Sequence, residues 1–309
     1  MAFQTTIRID VSITGIGLHS GEPATVRLVP SAPGSGISFV RMDRKDRVLI
    51  PAKAENVVST RLATTLGFGD STISTVEHLL AALAGHGIDN LLVEVSGPEL
   101  PILDGSAREF SDAILKVGIQ TQLSSRQYIR IKKKIELRLG EKWAVIEPSD
   151  HFELHSSIEF DHPSIGYQEN TFIGGVNQFT EIAAARTFCL LKDVEAMRRM
   201  GLAKGGSLKN AVVVDDAHIL NPEGLRCSDE FARHKALDAL GDFKLSGLNI
   251  LGSFRLHRSG HDLNTQLIAR IFSDPSNYEI VDGTKLAAQK KATKRPMLSV
   301  ARGATASSY

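Results

Sequence analysis

Two stretches of this chain repeat one order of elements. Glu77-His-Leu-Leu-Ala-Ala-Leu83 is an apolar helical pattern that stops near Gly85 and Gly87 and leads into the strand-like Leu91-Leu-Val-Glu-Val95. Arg233-His-Lys-Ala-Leu-Asp-Ala-Leu240 does the same ahead of Gly247-Leu-Asn-Ile-Leu251 and Phe254-Arg-Leu256. A loop and a second helix follow in each case, over 106–117 and over 263–272. An apolar helix beside a strand must bury its face against a sheet layer. The expectation is therefore an α+β fold of two pseudo-repeated, two-layer sheet/helix domains. Duplication and chance likeness of two α+β segments both account for the order. Under duplication the two helix layers pack face to face.

Length fits this reading, since 309 residues at about 150 per domain give two domains. The expected boundaries are 1–125 and 126–282. From residue 283 the chain turns basic and polar, with Lys285, Lys290, Lys291, Lys294, Arg295 and Arg302, and reads as a flexible tail. Charge is otherwise balanced, 36 Lys+Arg against 35 Asp+Glu, which argues against a nucleic-acid binder. Two cysteines, Cys189 and Cys227, are too few for a disulfide scaffold or a cysteine zinc finger. The first dozen residues lack a leader's apolar stretch, and no run of about 18 apolar residues occurs. The expectations are a cytoplasmic location, no stable membrane insertion and a monomer.

The candidate chemistry lies on the two repeated helices. His234 and Asp238 stand at i and i+4, about 40° apart around a helix, so both can reach one ion. Imidazole and carboxylate suit zinc, and a catalytic site needs a third ligand. Alone the pair also fits a solvated polar face, with Lys235 and Asp242 on the same side. The repeat places His78 at the position of His234, which supplies the third ligand if the helices face each other. Glu77, beside it, is a candidate general base. It has a second reading, because Ser74-Thr-Val-Glu77 fits a capping box with Ser74 as N-cap. His261 falls in the loop Arg258-Ser-Gly-His261 and is a candidate general acid, with Asp242 able to hold its charge. His19, between Gly17 and Gly21, has a similar setting. No nucleophile elbow, Walker loop or dinucleotide fingerprint is present.

Taken together, several motifs resemble the UDP-3-O-acyl-N-acetylglucosamine deacetylases, zinc enzymes of lipid A biosynthesis. They are Thr14-Gly-Ile-Gly-Leu-His-Ser-Gly21, Ile73-Ser-Thr-Val-Glu-His-Leu-Leu-Ala-Ala-Leu83, Gly87-Ile-Asp-Asn90 and Pro101-Ile-Leu-Asp-Gly-Ser106. Ala185-Arg-Thr-Phe188, Val213-Val-Asp-Asp216, the stretch from Arg233 to Asp242 and Ser259-Gly-His261 continue them in family order. The resemblance implies zinc on His78, His234 and Asp238, with iron(II) able to use the same ligands. It makes Glu77 the general base that activates water and His261 the general acid for the leaving amine, oriented by Asp242. Thr187 would stabilise the oxyanion.

The resemblance also implies a β-α-β insert near 190–214 that forms an apolar passage for the acyl chain. Val194, Leu202, Ala203 and Val213 match its lining positions, although ordinary core explains them equally, and Leu62 is a further substrate position. Phe188 and Lys235 match positions near the sugar and diphosphate; Lys142, Phe160 and Arg258 match positions near the UDP moiety. Arg258 stands where other members carry Lys, which keeps charge but not geometry. The implied partner is the UDP-acyl-sugar substrate. The alternative reading is a non-catalytic α+β binding module with a basic tail, which predicts no zinc.

Overall fold

The computed structural model describes residues 2–293. The fold is α+β. Its first half runs β1 (Phe3–Ile7), β2 (Val11–Ile16), β3 (Pro23–Pro30), β4 (Ile37–Arg41), β5 (Leu49–Pro51), β6 (Val57–Ser59), β7 (Thr65–Phe68) and β8 (Ser71–Ile73). Then come α1 (Glu77–Gly85), β9 (Leu91–Val95), α2 (Arg108–Val117) and β10 (Ile119–Ser125). The main sheet here has the order β2-β3-β9-β4-β5, with β6-β7-β8 as a small second sheet and β1 paired to β10. Between β6 and β7 the chain turns at Leu62, whose φ is 64°, and the two strands pair antiparallel.

The second half holds β11 (Gln127–Ile131), β12 (Ile135–Leu139), β13 (Lys142–Glu147), β14 (Phe152–Glu159), β15 (Tyr167–Ile173) and α3 (Val176–Ala183). It continues through β16 (Phe188–Leu190), α4 (Leu191–Arg199), β17 (Val212–Val214), α5 (Glu230–Lys244), β18 (Asn249–His257), α6 (His261–Phe272), β19 (Tyr278–Asp282) and α7 (Gly283–Thr293). Seven strands form one sheet along β12-β13-β18-β11-β19, with β14 on β18 and β15 on β14. The parallel pair β16 and β17 with α4 between them makes a β-α-β unit. The expected tail from residue 283 begins with a helix instead. The Asp282 carboxylate accepts from the Thr284 amide at 2.8 Å and so satisfies the open end of α7. Residues 294–309 of that expected tail lie outside the described residues. Among the described residues, no helix is long and apolar enough to cross a membrane.

One core fills both halves, from Val26, Phe39 and Val93 on the first sheet to Ile131, Ile146 and Phe254 on the second. Helix α1 lies inside it and is buried nearly all round, which its run of Leu and Ala permits. Helix α5 packs against it with almost every residue buried. Gly241 sets how near they come. A Cβ there would collide with the Glu77 carbonyl oxygen, so backbone meets backbone at the crossing.

The start of α5 is held by a buried ion pair. Arg186 Nε lies 2.8 Å from Glu230 Oε1, and Nη2 donates to Oε2 at 3.1 Å. The N-cap of α5 is Asp229, which pairs with Arg233 at 2.8 Å instead of capping the helix by its side chain.

Gly241→Ala tests the crossing. Overpacking against a carbonyl that cannot move away costs about 3 kcal/mol, while alanine gains about 1 kcal/mol of helix propensity. A net loss of about 2 kcal/mol is expected in urea unfolding. An unchanged midpoint would mean that the helices do not touch there.

Candidate active site

The crossing of α1 and α5 brings His78, His234 and Asp238 together. Among the described residues these three form a group able to hold a metal, with ligand atoms all within 4.8 Å of one another. Asp238 Oδ1 lies 3.6 Å from His78 Nε2 and 3.3 Å from His234 Nε2. The two rings meet edge to face, 5.1 Å between centroids. All three side chains are buried, and Asp238 Oδ1 has no hydrogen-bond partner among the described residues. An orphaned carboxylate oxygen between two imidazole nitrogens is a fit for a divalent cation of the zinc type.

Each donor is set for that task. His234 Nδ1 lies 3.0 Å from the Ala185 carbonyl, which makes Nδ1 the donor and leaves the Nε2 lone pair aimed at Asp238. Burial pushes the His234 imidazole down to about 4, so it stays neutral. Burial of Asp238 opposes its charge, but His234 and Lys235 overcome this and hold the carboxyl well below its ordinary range. Lys235 Nζ donates to Asp238 Oδ2 at 2.8 Å.

Glu77 is the first residue of α1 and is buried. The capping box does not form. Thr75 adopts φ 59°, which swings Ser74 out of the N-cap position and into a bridge with Glu99. Glu77 Oε2 instead accepts from the Thr64 amide at 3.0 Å, and its carboxyl is raised by burial. Oε1 faces His261 Nε2 at 4.0 Å.

His261 opens α6, rather than lying in a loop as the sequence implied. Its Nδ1 donates to Asp242 Oδ2 at 2.9 Å. Burial works against the imidazolium, yet Asp242 outweighs it and lifts His261 to about 10. Asp242 is itself saturated: Oδ1 accepts from Thr64 Oγ1 at 2.6 Å and Oδ2 from Asn264 Nδ2 at 2.8 Å. Thr64, Asn264 and the Ala185 carbonyl are the residues that sequence reasoning missed. Asn264, one helical turn after His261, had a readable spacing; the backbone contacts of Thr64 and Ala185 had none.

The other candidate residues group around this centre in three sets. Phe188 meets His234 at 6.4 Å, Phe231 at 4.8 Å and Phe160 at 5.8 Å between ring centroids, and Lys235 Nζ lies 5.6 Å from its ring. Thr187 directly precedes it, tied by its amide to the Gly105 carbonyl at 2.7 Å. Val194 lies on α4, Leu202 and Ala203 follow it, and Val213 is in β17. The loop at Leu62 reaches this unit through Arg61, whose guanidinium contacts Met200. Lys142 and Arg258 flank the β13–β18 pair at one end of the second sheet, next to the Trp143–His257 register. Lys142 is exposed at the start of β13, and Arg258 pairs with Glu141 at 2.7 Å.

The sequence as a whole matches a known family. The family profile described as LpxC, UDP-3-O-acyl N-acetylglycosamine deacetylase, matches residues 4–273. A protein of Anaeromyxobacter dehalogenans named UDP-3-O-acyl-N-acetylglucosamine deacetylase is 47% identical over 305 residues, 98% of each chain. The protein of that name from Myxococcus xanthus is 50% identical over 279 residues, 90% of this chain and 89% of its own. The one from Psychrobacter cryohalolentis is 46% identical over 281 residues, 90% and 88%.

Purified protein is expected to carry about one divalent metal per chain, as a three-ligand site implies. His78→Ala should lose it while keeping its circular dichroism spectrum. Full metal occupancy in that variant would remove His78 from the ligand set.

Proposed function

The chain belongs to the UDP-3-O-acyl N-acetylglycosamine deacetylase family, and on that premise we propose that it hydrolyses the N-acetyl group of a UDP-3-O-acyl-N-acetylglucosamine, a step of lipid A biosynthesis. The products are acetate and the free amine. The observation that carries this reading is the buried His78–His234–Asp238 triad with Glu77 and a charged His261 beside it. We assign zinc to the triad, with iron(II) compatible with the same donors.

Zinc held there supplies Lewis acidity, polarising the acetyl carbonyl and making a water molecule easier to deprotonate. Glu77 takes the proton of the attacking water through the oxygen that Thr64 does not occupy. Its raised carboxyl makes it a better proton acceptor than an ordinary glutamate. The water oxygen bonds to the carbonyl carbon, and negative charge gathers on the carbonyl oxygen. The His261 imidazolium faces that charge from Nε2, and Thr187 donates to it from the β16 side. His261 then passes its Nε2 proton to the amide nitrogen as the carbon–nitrogen bond breaks. Asp242 keeps Nδ1 protonated throughout and so fixes which nitrogen delivers the proton.

Phe188, Lys235, Phe160, Lys142 and Arg258 would hold the sugar and nucleotide, with cations for the diphosphate and rings for the sugar face. Leu62, Val194, Leu202, Ala203 and Val213 would take the 3-O-acyl chain by apolar burial.

Glu77→Gln and His261→Ala should each lower kcat for acetate release by at least about 10²-fold, the scale of one general acid or base. Chelation should abolish turnover, and added Zn2+ should restore it. Full turnover by metal-free protein would overturn the reading, and normal turnover in either variant would release that residue from its role.

A further inference from the structure

A cleft of about 470 Å³ opens toward the C-terminal ends of α1 and α5, lined in part by Ala84, Gly85, Leu240 and Phe243. None of His78, His234, Asp238, Glu77, Asp242 or His261 lines it. Its walls are mostly apolar and include Phe152 of β14, Phe172 of β15, Phe243 of α5 and Leu286 of α7. Lys244 lies in this apolar setting and is 6% exposed.

Among the described residues, no carboxylate pairs directly with Lys244, and Asp89 and Arg126 act on its charge in opposite senses. An ammonium has three N–H donors, and among the described residues this one makes a single hydrogen bond, to Asn249 Oδ1 at 3.2 Å. Asn249 Nδ2 donates onward to Asp89 Oδ1 at 3.1 Å. The other oxygen of Asp89 is taken by Arg126, at 3.0 Å from Nε and 2.7 Å from Nη2, and by the Thr5 amide at 2.8 Å. Asp89, the carboxylate whose charge favours the Lys244 ammonium, is therefore already paired with a different cation. Asp150 and His151 also line the cleft, but at its exposed rim. Burial pushes Lys244 down to about 8, which leaves most of the amine charged at neutral pH.

A desolvated cation with unused donors is unfavourable unless an anion reaches it. A cavity of this size, with mostly apolar walls and two buried cations in its lining, Lys244 and the Arg126 already taken by Asp89, has the make-up of a small-molecule site. We propose that this cleft binds an apolar monocarboxylate, whose carboxylate accepts from Lys244 Nζ while its body lies against Phe152, Phe172 and Phe243.

The probe is 2-naphthoate, titrated into the full-length, metal-loaded protein, with 2-naphthamide as its neutral counterpart. Wild type should bind the naphthoate saturably and at least about tenfold tighter than the amide, as a charge-assisted hydrogen bond allows. Lys244→Met should erase that preference and leave both probes at the amide's affinity. It replaces a buried charge with a side chain of similar length, and its Tm reports folding. Leu286→Trp, at a half-exposed position, should fill the cleft and weaken both probes by at least about tenfold. Four results would overturn the proposal: no saturable naphthoate binding, an unchanged preference in Lys244→Met, unchanged binding in Leu286→Trp, or naphthoate inhibition competitive with the acyl-sugar substrate. The last would put the probe in the deacetylase site.

Discussion

The absence of a side chain at Gly241 governs this structure. Two buried helices from different halves of the chain can touch backbone to backbone only where nothing projects between them. That contact falls beside Glu77, one residue before His78 and three after Asp238. Ligands supplied by separate halves therefore meet within bonding reach of one ion. A methyl-sized gap along this seam would separate them by more than any metal–ligand bond tolerates. Packing and metal affinity are set by one crossing distance.

Three carboxylates share the buried site, and repulsion among them is relieved by giving each a different environment. Asp238 faces Lys235 and two imidazoles. Asp242 faces the His261 imidazolium, with a hydroxyl and an amide filling its remaining positions. Glu77 receives one backbone amide and faces the His261 imidazolium at 4.0 Å, but burial outweighs that attraction and its proton affinity rises. Environments that push titratable groups apart are what would let one site hold the proposed ligand, acid's partner and base at a single pH.

Helical spacing made much of this legible. His234 and Asp238 at i and i+4 define a face whatever the tertiary structure, and the repeated order pointed to His78 as their partner. The end of α1 at Gly85 was readable for the same local reason. Where local chemistry competes with tertiary contact, the reading failed. Ser74 and Glu77 have ideal spacing for a cap, but a left-handed Thr75 and the amide of Thr64 redirect both. His261 follows Gly260 and so looks like a loop residue, although it starts a helix. The basic composition after residue 283 hid a helix whose first turn is satisfied by Asp282. Roles for Thr187 and the acyl-chain positions came from family likeness, because nothing in their spacing separates them from core.

Thr64 gives the site a property that neither carboxylate has alone. Its amide holds Glu77, and its hydroxyl holds Asp242, which in turn holds His261. One residue at the edge of β7 thus touches both ends of the proton path. Displacing it shifts acceptor and donor in concert, so their difference in proton affinity is buffered against movement of the strand. Natural variation near this residue would then tune the two limbs of the reaction as a pair, and independent drift of acid and base would require changes on α6 instead.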